Sequence, residues 1–300
     1  MSAPAEIRIV EVGPRDGLQN EPGVVATGVK IELIRRLAAS GLRTIEAGAF
    51  VSPRQVPQMA DTAAVLAGLG HLEGVALPVL VPNARGLADA LAAGAREIAV
   101  FTAASETFSR RNTNASIAQS LERIAAVAAA GAAHGLSLRG YVSCVLGCPY
   151  EGEVDPGRVA ELAERLVALG CREVSLGDTI GVGTAERARA MLLTVARHVP
   201  IGRLALHFHD TYGQALANIL ACLELGVTTL DSSVAGLGGC PFAPGAGGNV
   251  ATEDLLYMLD GLGVRTGVDL GGVVETGQWI CAQLGRANGS KVGRARAPRG

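Results

Sequence analysis

The run ALHFHD (205–210) places His207 and His209 two residues apart inside an apolar stretch and follows them at once with a carboxylate. Residues two apart on a β-strand face the same side, so both imidazoles point one way. Two imidazoles aimed at one point are a metal-ligand arrangement. A lone His-x-His also arises from a core histidine with an accidental neighbour, so the pair needs company. Two other segments offer it. Arg15 and Asp16 lie in EVGPRDGLQNE (11–21), immediately after an apolar run, and the glycine-rich GLGGCPFAPGAGGN (236–249) ends on Asn249. Two imidazoles, a carboxylate and an amide oxygen suit a hard-to-borderline divalent cation, Mg²⁺ or Mn²⁺, with positions left for substrate oxygens. Zinc ranks lower, because it would recruit a thiolate or a third imidazole. The glycine-rich stretch has neither GK[ST] nor G-x-G-x-x-G, so it is no nucleotide fingerprint. It does present Cys240 among glycines that would let a thiol swing over a substrate, although burial is the commoner fate of cysteine.

These segments converge only if the fold brings them together. Eight β-branched or apolar runs read as strands: 7–12, 44–50, 75–81, 97–102, 136–145, 172–178, 203–209 and 228–235. Segments of helical period lie between them, among them 29–40, 116–133, 156–170, 185–198 and 213–226, and several end in glycine just before the next strand. Strict strand–helix alternation implies right-handed crossovers and a parallel sheet. Eight units without a linker fit a single α/β domain, a (β/α)8 TIM barrel over 1–261, better than two doubly wound domains. Residues 262–300 form a C-terminal extension with one helical piece, expected to pack near the barrel mouth, and a Gly/Arg-rich end expected to be mobile. In a closed barrel the eighth strand neighbours the first. Asp16, His207, His209 and Asn249 then meet at the C-terminal mouth, where barrel active sites lie.

Composition narrows the alternatives. The chain has 300 residues, 49% hydrophobic and 18% charged, with 26 basic against 28 acidic side chains. That near balance, without a basic stripe, argues against nucleic acid. No apolar run reaches the roughly 18 residues of a membrane span, and neither terminus carries a targeting signal, so a cytoplasmic location is expected. Six scattered cysteines give no disulfide framework and no zinc-site spacing.

Six motifs together, EVGPRDGLQNE, FVSPRQVPQM (50–59), YVSCVLGCPYEG (141–152), LGDTIGVGT (176–184), HFHDTYGQALAN (207–218) and VAGLGGCPFAPGAGGNVATEDLLYML (234–259), resemble hydroxymethylglutaryl-CoA lyases over essentially the whole chain. The wider superfamily includes isopropylmalate and homocitrate synthases. The resemblance implies a divalent-metal-dependent enzyme that cleaves 3-hydroxy-3-methylglutaryl-CoA to acetyl-CoA and acetoacetate, a step of leucine breakdown. It implies Asp16, His207, His209 and Asn249 as metal ligands, Arg15 on the thioester oxygen, Cys240 as proton carrier, and Asp178 and Glu46 as further polar groups. Asp178 is then a base, and Glu46 either orients Arg15 or Asn249 or makes a structural hydrogen bond. Ser290-Lys291-Val292 matches the family's tail and implies a part in covering CoA. Gly48-Ala49 stand where the family commonly has a hydroxyl, so a bulkier 3-substituted glutaryl-CoA is the alternative substrate. An acyl-CoA condensing transferase of the isopropylmalate synthase type ranks behind it. The expected partner is a small acyl-CoA, and exposed barrel ends with family habit imply a homo-oligomer.

Overall fold

The computed structural model describes residues 4–239 and 247–297. Its strands are β1 (Arg8–Glu11), β2 (Thr44–Ile45), β3 (Gly48–Ala49), β4 (Val79–Leu80), β5 (Glu97–Ala103), β6 (Ser137–Ser143), β7 (Glu173–Asp178), β8 (Leu204–Phe208) and β9 (Thr229–Ser232). The helices are α1 (Thr27–Ala39), α2 (Thr62–Leu69), α3 (Ala84–Ala92), α4 (Glu106–Thr113), α5 (Ile117–Ala133), α6 (Pro156–Ala168), α7 (Ala185–Val195), α8 (Ala215–Leu223), α9 (Thr252–Gly261), α10 (Leu270–Leu284) and α11 (Lys291–Ala295).

The strands pair in parallel in the order β2-β1-β9-β8-β7-β6-β5-β4-β3. The two ends of that order are halves of the one strand expected over 44–50, so the sheet closes on itself and the barrel expectation is met. The ladder is interrupted where Pro78 faces it. Ile45 N donates to the Ala76 carbonyl and Ala47 N to the Pro78 carbonyl, but Pro78 has no N–H to return.

Strands buried on both faces need apolar side chains all round, and helices need one apolar stripe. Helix α6 shows the stripe, with Val159, Leu162, Ala163 and Leu166 buried. Its start is set by Asp155, whose side chain accepts from Gly157 N, followed by Pro156 at the first helical position. Helix α5 opens with a complete capping box of Ser116 and Gln119. Helix α1 ends at Gly41, where φ is +97° and a Cβ would come within 2.4 Å of the Gly267 carbonyl oxygen. Beyond α9, helix α10 packs on α1 and α9, and α11 packs on α9. Among the described residues no helix is long and apolar enough to cross a membrane.

Candidate active site

Strand parity puts a chain of polar residues inside the barrel. Arg139 and Tyr141 of β6, Glu173 and Ser175 of β7, His207 of β8 and Asp231 of β9 are hydrogen-bonded to one another, so all face the interior. Just beyond β1 the backbone enters a single π-helical turn, Gly13–Gly17, which carries Arg15 and Asp16. Glycine is needed on both sides of that pair: a Cβ on Gly13 would lie 2.6 Å from Glu11 Oε1, and one on Gly17 2.8 Å from Leu237 Cβ. Glu11 is fully buried and anchors two loops at once, accepting from Gly13 N and Val234 N while Thr252 Oγ1 donates to it.

Asp16, His207 and His209 bring one ligand atom each within 4.8 Å of one another. Asp16 Oδ2 lies 3.7 Å from His207 Nε2 and 3.9 Å from His209 Nε2. Asn249, bridged through its backbone to His209, donates from Nδ2 to Asp16 Oδ2 at 2.8 Å and to the Leu237 carbonyl at 3.1 Å. Burial disfavours a charged Asp16, yet Arg15 and the two histidines hold its carboxyl down at about 2. Burial, with His207 nearby, lowers His209 to about 4, so that imidazole is neutral at pH 7. Two imidazoles beside an ionised carboxylate form a donor set that fits a divalent cation. Asn249 as a ligand would add its amide oxygen, since its nitrogen is already engaged.

Arg15 is buried, with Nη1 on Asp16 Oδ1 and Nε on Glu46 Oε2, each at 2.6 Å. Burial opposes its charge, but Glu46 and Asp16 more than compensate and raise its pKa. Glu46 is itself raised, by burial, against the pull of Arg15. Its other oxygen takes the Tyr141 hydroxyl at 3.2 Å.

A cavity of about 280 Å³ opens on this corner, with Arg15, Asp16, Gln19, Tyr141, His207 and His209 in its lining. The rest of its lining is mixed, with Val51, Val56, Leu80, Phe101 and Phe108 beside polar residues such as Gln55, Asn112 and Arg123. Ala49 is not among the lining residues. It is buried, with its N–H and carbonyl both bonded to Thr62 Oγ1.

Three expected site residues are placed elsewhere. Asp178 points away from the cluster: Glu173 and Ser175 take the inward parity of β7, and the Asp178 carboxylate accepts from Val182 N and Gly183 N in the following turn. Burial raises it to about 6. Ser290 is fully buried and cannot cover a ligand, because its hydroxyl donates to Asp254 Oδ1 and accepts from Gly293 N. Lys291 is largely exposed, with Nζ 3.3 Å from Asp210 Oδ2. Cys240 lies outside the described residues. Arg139, Tyr141 and Asp231 were not anticipated from the sequence. The signal was there, as a single charged residue within each strand run, Arg139 in LSLRGYV and Asp231 in TTLDSS.

A closed parallel barrel with a His-x-His and carboxylate corner and a buried arginine at its C-terminal mouth defines the class: a (β/α)8 enzyme built around a candidate metal site. Known proteins agree with that definition. A family profile described as HMGL-like matches residues 6–280. The chain therefore belongs to the HMGL-like family. It is 57% identical over 292 residues, 97% of this chain and 98% of the relative, to the Gallus gallus protein named hydroxymethylglutaryl-CoA lyase, mitochondrial. It is 57% identical over 98% of both chains to a Pseudomonas aeruginosa protein named 3-hydroxy-3-isohexenylglutaryl-CoA/hydroxy-methylglutaryl-CoA lyase. The crystal structure of hydroxymethylglutaryl-CoA lyase from Pseudomonas aeruginosa superposes with a TM-score of 0.96, at 57% identity and 98% coverage of both chains.

Proposed function

We propose that the chain cleaves 3-hydroxy-3-methylglutaryl-CoA to acetyl-CoA and acetoacetate, using Mg²⁺ or Mn²⁺ held by Asp16, His207, His209 and Asn249. One observation carries the reading: Arg15 and the Asp16–His207–His209 corner line the same cavity, in a chain whose near full-length relatives are named for this reaction.

The substrate's tertiary alcohol must lose its proton as the adjacent carbon-carbon bond breaks. The bond's electron pair then passes to the departing acetyl-CoA as an enolate, and the former alcohol carbon becomes the ketone of acetoacetate. When bound, the cation supplies Lewis-acid polarisation of substrate oxygens. Arg15 meets the negative charge that develops on the thioester oxygen, and with Asp16 and Glu46 fixing two edges of its guanidinium, the remaining N–H groups are pre-aimed. We assign both proton movements to Cys240: its thiolate takes the proton from the tertiary alcohol as the carbon-carbon bond breaks, and the resulting thiol returns it to the enolate carbon, which completes acetyl-CoA and regenerates the thiolate. The Asp178 carboxylate serves the turn that follows β7, and Lys291 remains the tail residue open to an anionic CoA.

The test is acetyl-CoA release by chelator-treated protein with and without added Mg²⁺ or Mn²⁺. Metal-restored release is expected, and release that ignores metal would sink the assignment. Phe101 and Phe108 in the cavity lining support a second reading, in which larger 3-substituents are also accepted. It predicts comparable kcat/KM for an isohexenyl-substituted substrate, and a preference of more than about 100-fold for the methyl compound would exclude it.

A further inference from the structure

Seven buried or half-buried side chains form a ring around the barrel mouth. Arg139 grips Asp231 with two bonds, Nη2 to Oδ1 at 2.6 Å and Nη1 to Oδ2 at 3.0 Å. Asp231 Oδ2 also takes the Ser175 hydroxyl at 2.8 Å and faces His207 Nδ1 at 3.2 Å. In the other direction Arg139 Nη1 donates to the Tyr141 hydroxyl at 2.6 Å, which donates onward to Glu46 Oε1 at 3.2 Å. Glu46 holds Arg15, and Arg15 holds Asp16. The ring has one gap, the 3.7 Å between Asp16 Oδ2 and His207 Nε2.

We infer that Arg139 is a positioning residue that sets both halves of the site: through Asp231 it fixes the tautomer and aim of His207, and through Tyr141 and Glu46 it fixes Arg15. A carboxylate clamped by a guanidinium has only acceptors to offer. The His207 nitrogen that faces it, Nδ1, must therefore carry the proton, which leaves the Nε2 lone pair pointed at Asp16. Carboxylate partners of this kind orient metal-binding imidazoles and raise their basicity. Arg139 does not reach the cavity. Its Nε donates to Glu173 Oε1 at 2.8 Å, and three more of its N–H groups go to Asp231 and Tyr141. Strand register supplies the geometry, since His207 pairs directly with Asp231 between β8 and β9.

The inference rests on the cation site proposed above, and two arms separate the outcomes. Calorimetric titration with MnCl₂ of chelator-treated Asp231→Asn should show about 10- to 100-fold weaker binding than wild type. Tyr141→Phe should keep Mn²⁺ affinity within about twofold while lowering kcat at saturating Mn²⁺ about tenfold, because it loosens only the Arg15 half. Wild-type affinity in Asp231→Asn, or equal loosening of metal by both variants, would overturn the inference. If Asp231→Asn does not fold, histidine ¹⁵N NMR on metal-free wild type decides: His207 should be protonated at Nδ1 and bare at Nε2, and the opposite tautomer refutes the idea. Wild type that binds no Mn²⁺ sinks the cation site itself, and the tautomer then still decides the role of Arg139 and Asp231.

Discussion

Arg15 and His209 separate the two kinds of work the site does. Arg15 offers a planar fork whose edges are already occupied by Glu46 and Asp16, so a lysine, with one point of charge, cannot satisfy both acids and the substrate. Arg15→Lys is expected to lower kcat by roughly 100- to 1,000-fold with Mn²⁺ affinity little changed. A variant that keeps most of its turnover would remove Arg15 from the chemistry. His209→Ala should do the reverse and lose metal first, measured as Mn²⁺ left free after equilibrium dialysis. Such residues were legible in the sequence because their types are rare in apolar runs and their spacing has a period. Asp178 is implied by the family motif LGDTIGVGT, and a motif match carries no strand parity. Glu173 and Ser175 in the same strand already fix which face is inside, and Asp178 falls on the other. Ser290 is implied by the match of Ser290-Lys291-Val292 to the family's tail, which says nothing of its burial. Only the fold shows it capping α11 beneath Asp254.

Elements were easier to find than joints. Helix and strand periods delineated eight units, while Pro78, the residue that splits the second strand, gives no pattern beyond its missing donor. The joint that follows β9 is the most constrained. Ala235 sits at φ +57°, its N–H donates to both oxygens of Glu253, and its carbonyl accepts from Gly289 N. A side chain in that region costs about 1 kcal/mol, so Ala235→Gly should leave the fold intact and offset the entropy glycine adds to the unfolded chain. Differential scanning calorimetry is expected to show a Tm within about 2 °C of wild type. A large fall would mean that the methyl group, and not the backbone, secures the joint. Burial raises Glu253 to about 8 and Glu11 to about 7, against hydrogen bonds that pull both down. Both exceed the ordinary unfolded value near about 4.3. The native state therefore holds extra protons above that value, and the stability they contribute, complete at lower pH, is lost as pH rises through 7 and 8. Tm should fall across pH 6 to 8.5, and Glu253→Gln should flatten roughly half of that slope. An unchanged slope would place the proton elsewhere.

At the scale of the whole molecule, the cation corner ties the first strand to the last. A ligand that binds only the folded state stabilises it, by about 2.7 kcal/mol at 100 times its Kd. For a domain of this size Mn²⁺ should then raise Tm by roughly 5 °C, and Asp16→Asn should abolish the rise. The closure that makes this possible joins Arg8 to Thr229 in one ladder, with Ile7 bonded to the Arg265 carbonyl behind it. On the ribosome Asp16 emerges long before His207, His209 and Asn249, the last of them 233 residues further along the chain. Until then β1 is an apolar strand without its β9 neighbour, an edge open to other chains. Making this enzyme therefore asks the cell to shield the nascent chain until β9 has emerged, and a message cut short before that strand yields a product that keeps its two histidines but has an open β1 edge and no Asn249.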